Sequence, residues 1–323
     1  MLPKRVIFAA NANNTSGAGH LRRLIEIAKV LPESIEKHII GSIDIPWLKT
    51  SAERIFLPPF PIQKYGADDL VVLDSYEREF CLQIQSRFTD SQIFQVADRH
   101  TFLLPRVQIV FMDLPFAYKS KNVNHRVIAH GIEYLPIRTF KAISSKFKPR
   151  ALRVLITSGG VVSERIYQQL VQELSSDYYS EINFEFIGLP KVVSNFPDNL
   201  RFHPLGESFD VVVAESDTAI SAAGTTMWDL LANQITLGIA AIVENQRTNF
   251  DYAVGSNLAL PVFDPVTHEL NLGNLRALLF NQDTRKLLYG NSFGKHDFLG
   301  ATRTSEAILN SFSKNYVSAK FQD

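Results

Sequence analysis

One cysteine, Cys81, stands in a chain of 323 residues. A single thiol excludes an internal disulfide, a cysteine-rich zinc cluster and a dithiol redox pair. The eight histidines are scattered and none falls at H-x-x-x-H spacing, so no metal site is expected. There is no surplus of either charge, with 33 Lys and Arg against 33 Asp and Glu. That balance argues against a chain devoted to coating nucleic acid or anionic lipid. No apolar run reaches the roughly 18 residues of a membrane span. The N-terminus lacks the layout of a secretory signal: Lys4-Arg5 is followed only by Val6 to Ala10 before asparagines begin. A cytoplasmic protein is the expectation. What the chain does have is apolar mass, 46% hydrophobic against 20% charged, enough for a sizeable core. Its length suits two domains.

Short β-branched runs alternate with longer amphipathic stretches, the pattern of an open α/β sheet with helices on its faces. Strands are expected at Arg5 to Ala10, Lys37 to Gly41, Leu70 to Asp74, Gln92 to Ala97 and Val107 to Met112. Leu21, Leu24, Ile25, Ala28 and Leu31 recur at helical spacing up to Pro32, and Glu77 to Phe88 suits a second helix. The basic, weakly periodic stretch Pro136 to Arg150 interrupts the pattern. Leu152 to Thr157, Ser158-Gly159-Gly160 and a helix from Ser163 to Leu174 then restart it. Further strands are expected at 183–187, 200–203, 218–221, 235–243 and 258–262, and helices at 225–232, 246–255, 272–281 and 303–312. Phe209 to Glu215 fits strand or short helix. The expected domains are 1–148 and 149–290, with a helical segment, 291–323, returning to the first domain. Both halves open with a strand, a glycine loop and a helix. Two such domains facing each other would set their ligand-binding strand ends across one cleft.

Four clusters could carry chemistry. Gly17 and Gly19 at a strand-to-helix turn would let a ligand approach the backbone. Arg22 replaces the third glycine of a dinucleotide fingerprint, and Gly41-Ser42 supply no acid at the next strand end, which argues against an oxidoreductase. His20, in the first turn of that helix, is expected neutral and able to take a proton, or else is a capping or core histidine. Gly224, Thr225 and Thr226 open a helix after a strand of small residues, a natural phosphate site, with Asp229 placed to meet ribose hydroxyls. The alternative is an ordinary threonine cap with a dipole-favoured aspartate. Asn245-Gln246 could fix a sugar or phosphate, or form a solvated loop. Ser158-Gly159-Gly160 could cradle phosphate or merely turn the chain. Asp74-Ser75-Tyr76 and Asp98 bring two carboxylates to strand ends, suited to acid–base work. Asp98-Arg99 reads equally as a surface ion pair. Arg22-Arg23 and Lys146 to Arg150 read as solvated basic faces. There is no G-x-S-x-G, G-x-x-x-x-G-K-[ST] or H-E-x-x-H.

The ordered set Gly17-Ala-Gly19-His20-x-x-Arg23, Asp74-Ser-Tyr76, Gly131-x-x-Tyr134-x-x-x-Arg138, Ser158-Gly-Gly160, Ala222-Ala-Gly224-Thr-Thr-x-Trp-Asp229 and Asn245-Gln246 resembles the UDP-sugar hydrolases of the pseudaminic acid pathway. These sit in a wider group with MurG-like glycosyltransferases. The resemblance implies a GT-B fold, two Rossmann-like doubly wound domains around a central cleft. It implies cleavage of the anomeric C–O bond of a nucleotide sugar, a UDP-sugar, with water as acceptor. The alternatives are transfer to a glycan or lipid-linked acceptor, or a non-catalytic nucleotide-sugar binder. The implied catalytic residues are His20 and Tyr76, the latter lining the sugar pocket. The implied substrate-binding residues are Gly17, Gly19, Arg138, Ser158, Gly159, Gly224, Thr225, Thr226, Asp229, Asn245 and Gln246. No cofactor, metal or nucleic acid is implied, and at most peripheral membrane contact. Where relatives carry an Arg-x-Asp element, this chain has Ala10-Asn11-Ala12. Where they carry Glu for ribose and paired aspartates, it has Asp229 and Ala97-Asp98.

Overall fold

A computed structural model describes residues 2–13, 17–57, 65–89, 91–98, 101–105, 107–111, 126–138, 147–159, 163–188, 196–204, 206, 208–292 and 297–320. Arg99, Met112, Lys146 and Gly160, named above, lie outside the described residues. The chain forms two compact units, residues 1–137 with 298–323, and residues 138–297.

In the first unit, β1 (Arg5–Ala9), α1 (Gly19–Val30), β2 (Glu36–Ile40), α2 (Pro46–Glu53), β3 (Asp69–Leu73), α3 (Arg78–Arg87), β4 (Gln92–Ala97), β5 (Gln108–Phe111) and β6 (Arg126–His130) follow in order. The strands form one parallel sheet in the order β2-β1-β3-β4-β5-β6. Every residue of β1 and β3 is buried, as expected for strands covered on both faces. Arg5 and Asp69 sit opposite each other in register and close a two-bonded fork, each contact 2.8 Å. Ile7, Leu73, Ile84, Phe88 and Ile109 belong to one core cluster under this sheet. Two elements of this unit escaped the sequence reading, as did the helix Gln282–Ser292 of the other. Pro46 opens α2 at a position that needs no amide donor, and β6 is a largely exposed edge strand whose apolar run is only Val127 to Ala129.

In the second unit come β7 (Arg153–Thr157), α4 (Glu164–Leu174), β8 (Asn183–Ile187), β9 (Leu200–His203), α5 (Ser208–Glu215), β10 (Thr218–Ala222), α6 (Thr225–Ala232), β11 (Thr236–Ala240), α7 (Arg247–Gly255), β12 (Ala259–Pro261), α8 (Leu272–Phe280) and α9 (Gln282–Ser292). The sheet order is β12-β11-β10-β7-β8-β9, all parallel. Counted from β7 as one, this is 3-2-1-4-5-6, the doubly wound dinucleotide-fold order. The ambiguous stretch at 209–215 is helical. The helix α10 (Gly300–Lys320) belongs to the first unit and packs on α1.

Each sheet has a switch point, where the chain turns from building one side to building the other. In the first it lies between β1 and β3, in the second between β7 and β10. Loops diverge there at the strand C-terminal ends and leave a crevice for ligands.

Candidate functional site

The first unit gathers its chemistry at the switch point. Asp74 follows β3 directly, Asp98 follows β4, and His20 stands in the first turn of α1 with Arg23 at the start of the second. His20 and Arg23, three residues apart, share one helix face. His20 Nδ1 lies 2.6 Å from Asp74 Oδ1. Arg23 grips the same carboxylate with two parallel bonds, Nε to Oδ2 at 2.8 Å and Nη2 to Oδ1 at 2.7 Å. All three side chains are buried. Arg23 Nη1 also lies 3.6 Å from Asp98 Oδ2. The Tyr76 phenol donates to that oxygen at 2.5 Å, and its ring meets the imidazole edge-on with centroids 4.3 Å apart.

Burial alone would raise the Asp74 pKa, but the charge of Arg23 and then His20 outweigh it and hold the carboxyl below its usual range. Burial and then the Asp98 charge raise the Tyr76 phenol well above its ordinary value, so it keeps its proton. Two expectations change here. Arg23 is a buried ion, not part of a solvated basic face, and Asp98 pairs inward with Arg23 and Tyr76. Asp74 and Asp98 were legible as strand-end acids. That one guanidinium joins them was not.

The second unit brings other residues together at its own switch point. The α6 helix is preceded by Gly224 at its N-cap, a residue with no side chain to cover that end. A Cβ at Gly224 would stand 3.6 Å from Gln246 Nε2, and one at Gly159 would stand 3.6 Å from Thr226 Oγ1. Gly159, Gly224, Thr226 and Gln246 are therefore neighbours around the α6 N-terminus. Gly159 holds φ at +74°, a left-handed turn that suits glycine. Gln246 accepts from the Ile242 amide at 2.9 Å, which fixes its carboxamide. Asn249 donates to Ala223 O at 3.0 Å, an anchor the sequence reading missed.

Ser158 is tied to the fold. Its amide donates to the Tyr167 hydroxyl at 3.0 Å, and that hydroxyl donates to Ile187 O at 2.6 Å. Arg138 and Asp229 meet each other. The Arg138 amide donates to Asp229 Oδ1 at 2.9 Å, and its Nε lies 3.6 Å from Oδ2. Arg138 also bonds Asp210 at 3.1 Å and lies over the Phe209 ring. Asp229 is only 1% exposed. Gly17 holds φ at +72°, and Gly19 begins α1. Asn245 lies in the short 3-10 turn Glu244–Gln246 that precedes α7.

Two parallel six-stranded sheets with these strand orders define the class: a GT-B fold of two Rossmann-like domains. No protein-family model matches the chain, and no curated protein does. Solved structures do match. MurG of Acinetobacter baumannii is similar at 12% identity, over 95% of this chain and 100% of that one, with a TM-score of 0.63. The glycotransferase of kitacinnamycin is similar at 12% identity over 96% and 99%, with a TM-score of 0.64. A UGT transferase from Siraitia grosvenorii in complex with UDP is similar at 13% identity over 94% and 99%, with a TM-score of 0.56. Likeness at these identities is likeness of fold. Two of the three are named as transferases and none of the three as a hydrolase. Among the described residues no helix is long and apolar enough to cross a membrane, and no group of three or more His, Cys, Asp and Glu could hold a metal ion.

Proposed function

We propose that the protein is a glycosyltransferase that uses a UDP-sugar as donor. The observation that carries this reading is the glycine-lined N-terminus of α6, where Gly159, Gly224, Thr226 and Gln246 are neighbours at a doubly wound switch point. Absent side chains let a diphosphate reach the backbone, and a helix N-terminus favours its charge. The neighbour in complex with UDP supports uracil as the base. The diphosphate lies against Gly224, Thr225 and Thr226, with Gly159 and Ser158 on the adjacent loop. Asn245 and Gln246 face the phosphates or sugar. Asp229 reaches the ribose by exchanging the Arg138 amide for its hydroxyls.

His20 is the general base. Its Nδ1 is occupied by Asp74, so Nε2 takes the proton of the acceptor hydroxyl. The acceptor oxygen then bonds the anomeric carbon as that carbon's bond to the diphosphate oxygen breaks. Negative charge grows on the leaving UDP, and a helix N-terminus favours that charge. Tyr76 keeps its proton and walls the base.

Incubation with a panel of UDP-sugars, with and without glycan and lipid-linked acceptors, tests the reading. UDP release that needs an acceptor is expected. Release with water alone makes the enzyme a hydrolase. Binding without release in either arm makes it a non-catalytic nucleotide-sugar binder. His20→Ala is expected to cut turnover by about 10²-fold or more with UDP affinity little changed.

A further inference from the structure

We propose that Arg23 is a positioning residue that fixes which ring nitrogen of His20 carries the proton. The inference rests on the reading of His20 as base and goes beyond it. The contacts form a closed ring: His20 to Asp74, Asp74 to Arg23, Arg23 to Asp98, Asp98 to Tyr76, and Tyr76 back to the imidazole. Arg23 is the one guanidinium among these five side chains, and both carboxylates converge on it.

An ionised carboxylate only accepts. A 2.6 Å contact to ionised Asp74 therefore requires hydrogen on Nδ1, which leaves the lone pair on Nε2. Arg23 Nη2 lies 3.0 Å from the same Nδ1. Guanidinium has no lone pair to offer, so this approach is two donors meeting at one oxygen of Asp74.

Without Arg23 the balance reverses. Burial pushes Asp74 towards its protonated form, and the Arg23 charge is the largest effect opposing that. A protonated Asp74 donates to Nδ1, moves the ring hydrogen to Nε2 and removes the base. A buried ion pair gains little stability over apolar packing, so what this one secures is geometry. The second arm, through Asp98 and the Tyr76 phenol, holds the wall that sets the ring plane. The fork explains why arginine stands here, since an ammonium cannot make two parallel bonds to one carboxylate.

The test is ¹⁵N NMR of the full-length chain with labelled histidine, the His20 signals being those lost in His20→Gln. The wild type is expected to show a bonded hydrogen on Nδ1 and a pyridine-like Nε2. Arg23→Gln is expected to reverse or average the two, with kcat lowered roughly tenfold to a hundredfold and the donor KM unchanged. Arg23→Lys is expected to restore the wild-type nitrogen pattern in part. A hydrogen on Nε2 in the wild type overturns the inference, whether or not any variant folds. So does an unchanged pattern in Arg23→Gln. Absence of turnover in the wild type strikes the glycosyl-transfer reading and leaves the nitrogen signals to judge Arg23.

Discussion

Asp74 carries two opposed loads. Its burial favours the neutral acid, and Arg23 with His20 favours the anion and wins. The folded pKa is therefore below the unfolded value of 3.8. A depressed carboxylate contributes stability that is fully present above the unfolded value and is lost as pH falls through the folded one. Stability curves of the wild type and Asp74→Asn, followed by urea unfolding across pH, should lie apart at neutral pH, begin to approach each other below about pH 4 and meet only below the folded value. A gap that persists in acid would assign the loss to packing instead. Cys81 is a second residue whose surroundings decide its chemistry. Burial, then the charges of Asp74 and Glu77, push its thiol up to about 12. Native protein at pH 8 should resist alkylation of this thiol, and unfolded protein should react at once. Rapid labelling of the native chain would show the α3 face to be open.

At the scale of elements, α6 separates folding from binding in a way two glycines can expose. Gly159 sits at φ +74°, so Gly159→Ala is expected to cost about 1–2 kcal/mol of stability from backbone strain. Gly224 has φ −95°, and a Cβ there makes only an ordinary contact with Gln246. Gly224→Ala should keep the thermal midpoint within a few degrees and weaken UDP binding at least tenfold, because its methyl occupies the approach to the α6 amides. Calorimetric titration beside thermal unfolding measures both. The elements themselves were legible where period and punctuation agreed: β4, β8, β9 and α6 fall where the sequence placed them. They were missed where the chain is exposed and aperiodic, as in β6, or where proline reads as a breaker but serves as a first helical residue, as Pro46 does. Arg23 was misread for another reason. An isolated pair of basic residues is usually solvated, and only the fold places Asp74 and Asp98 beside it.

At the scale of the molecule, the two units differ in a way that no local motif announced. One sheet runs β2-β1-β3-β4-β5-β6 and the other follows the dinucleotide-fold order, yet each puts its singled-out residues at the switch point. Glycines and threonines gather in one unit, and a histidine, an arginine and two carboxylates in the other. Alternating strands and helices disclosed both domains because period is a local signal. Strand order is not local, so the switch points came only with the fold. The most direct measurement is a crystal structure of the full chain grown with saturating UDP. Diphosphate oxygens are expected within hydrogen-bonding distance of the Thr225 and Thr226 amides, with Gly159 and Gln246 alongside. A nucleotide seated elsewhere, or none bound at saturation, would contradict the account.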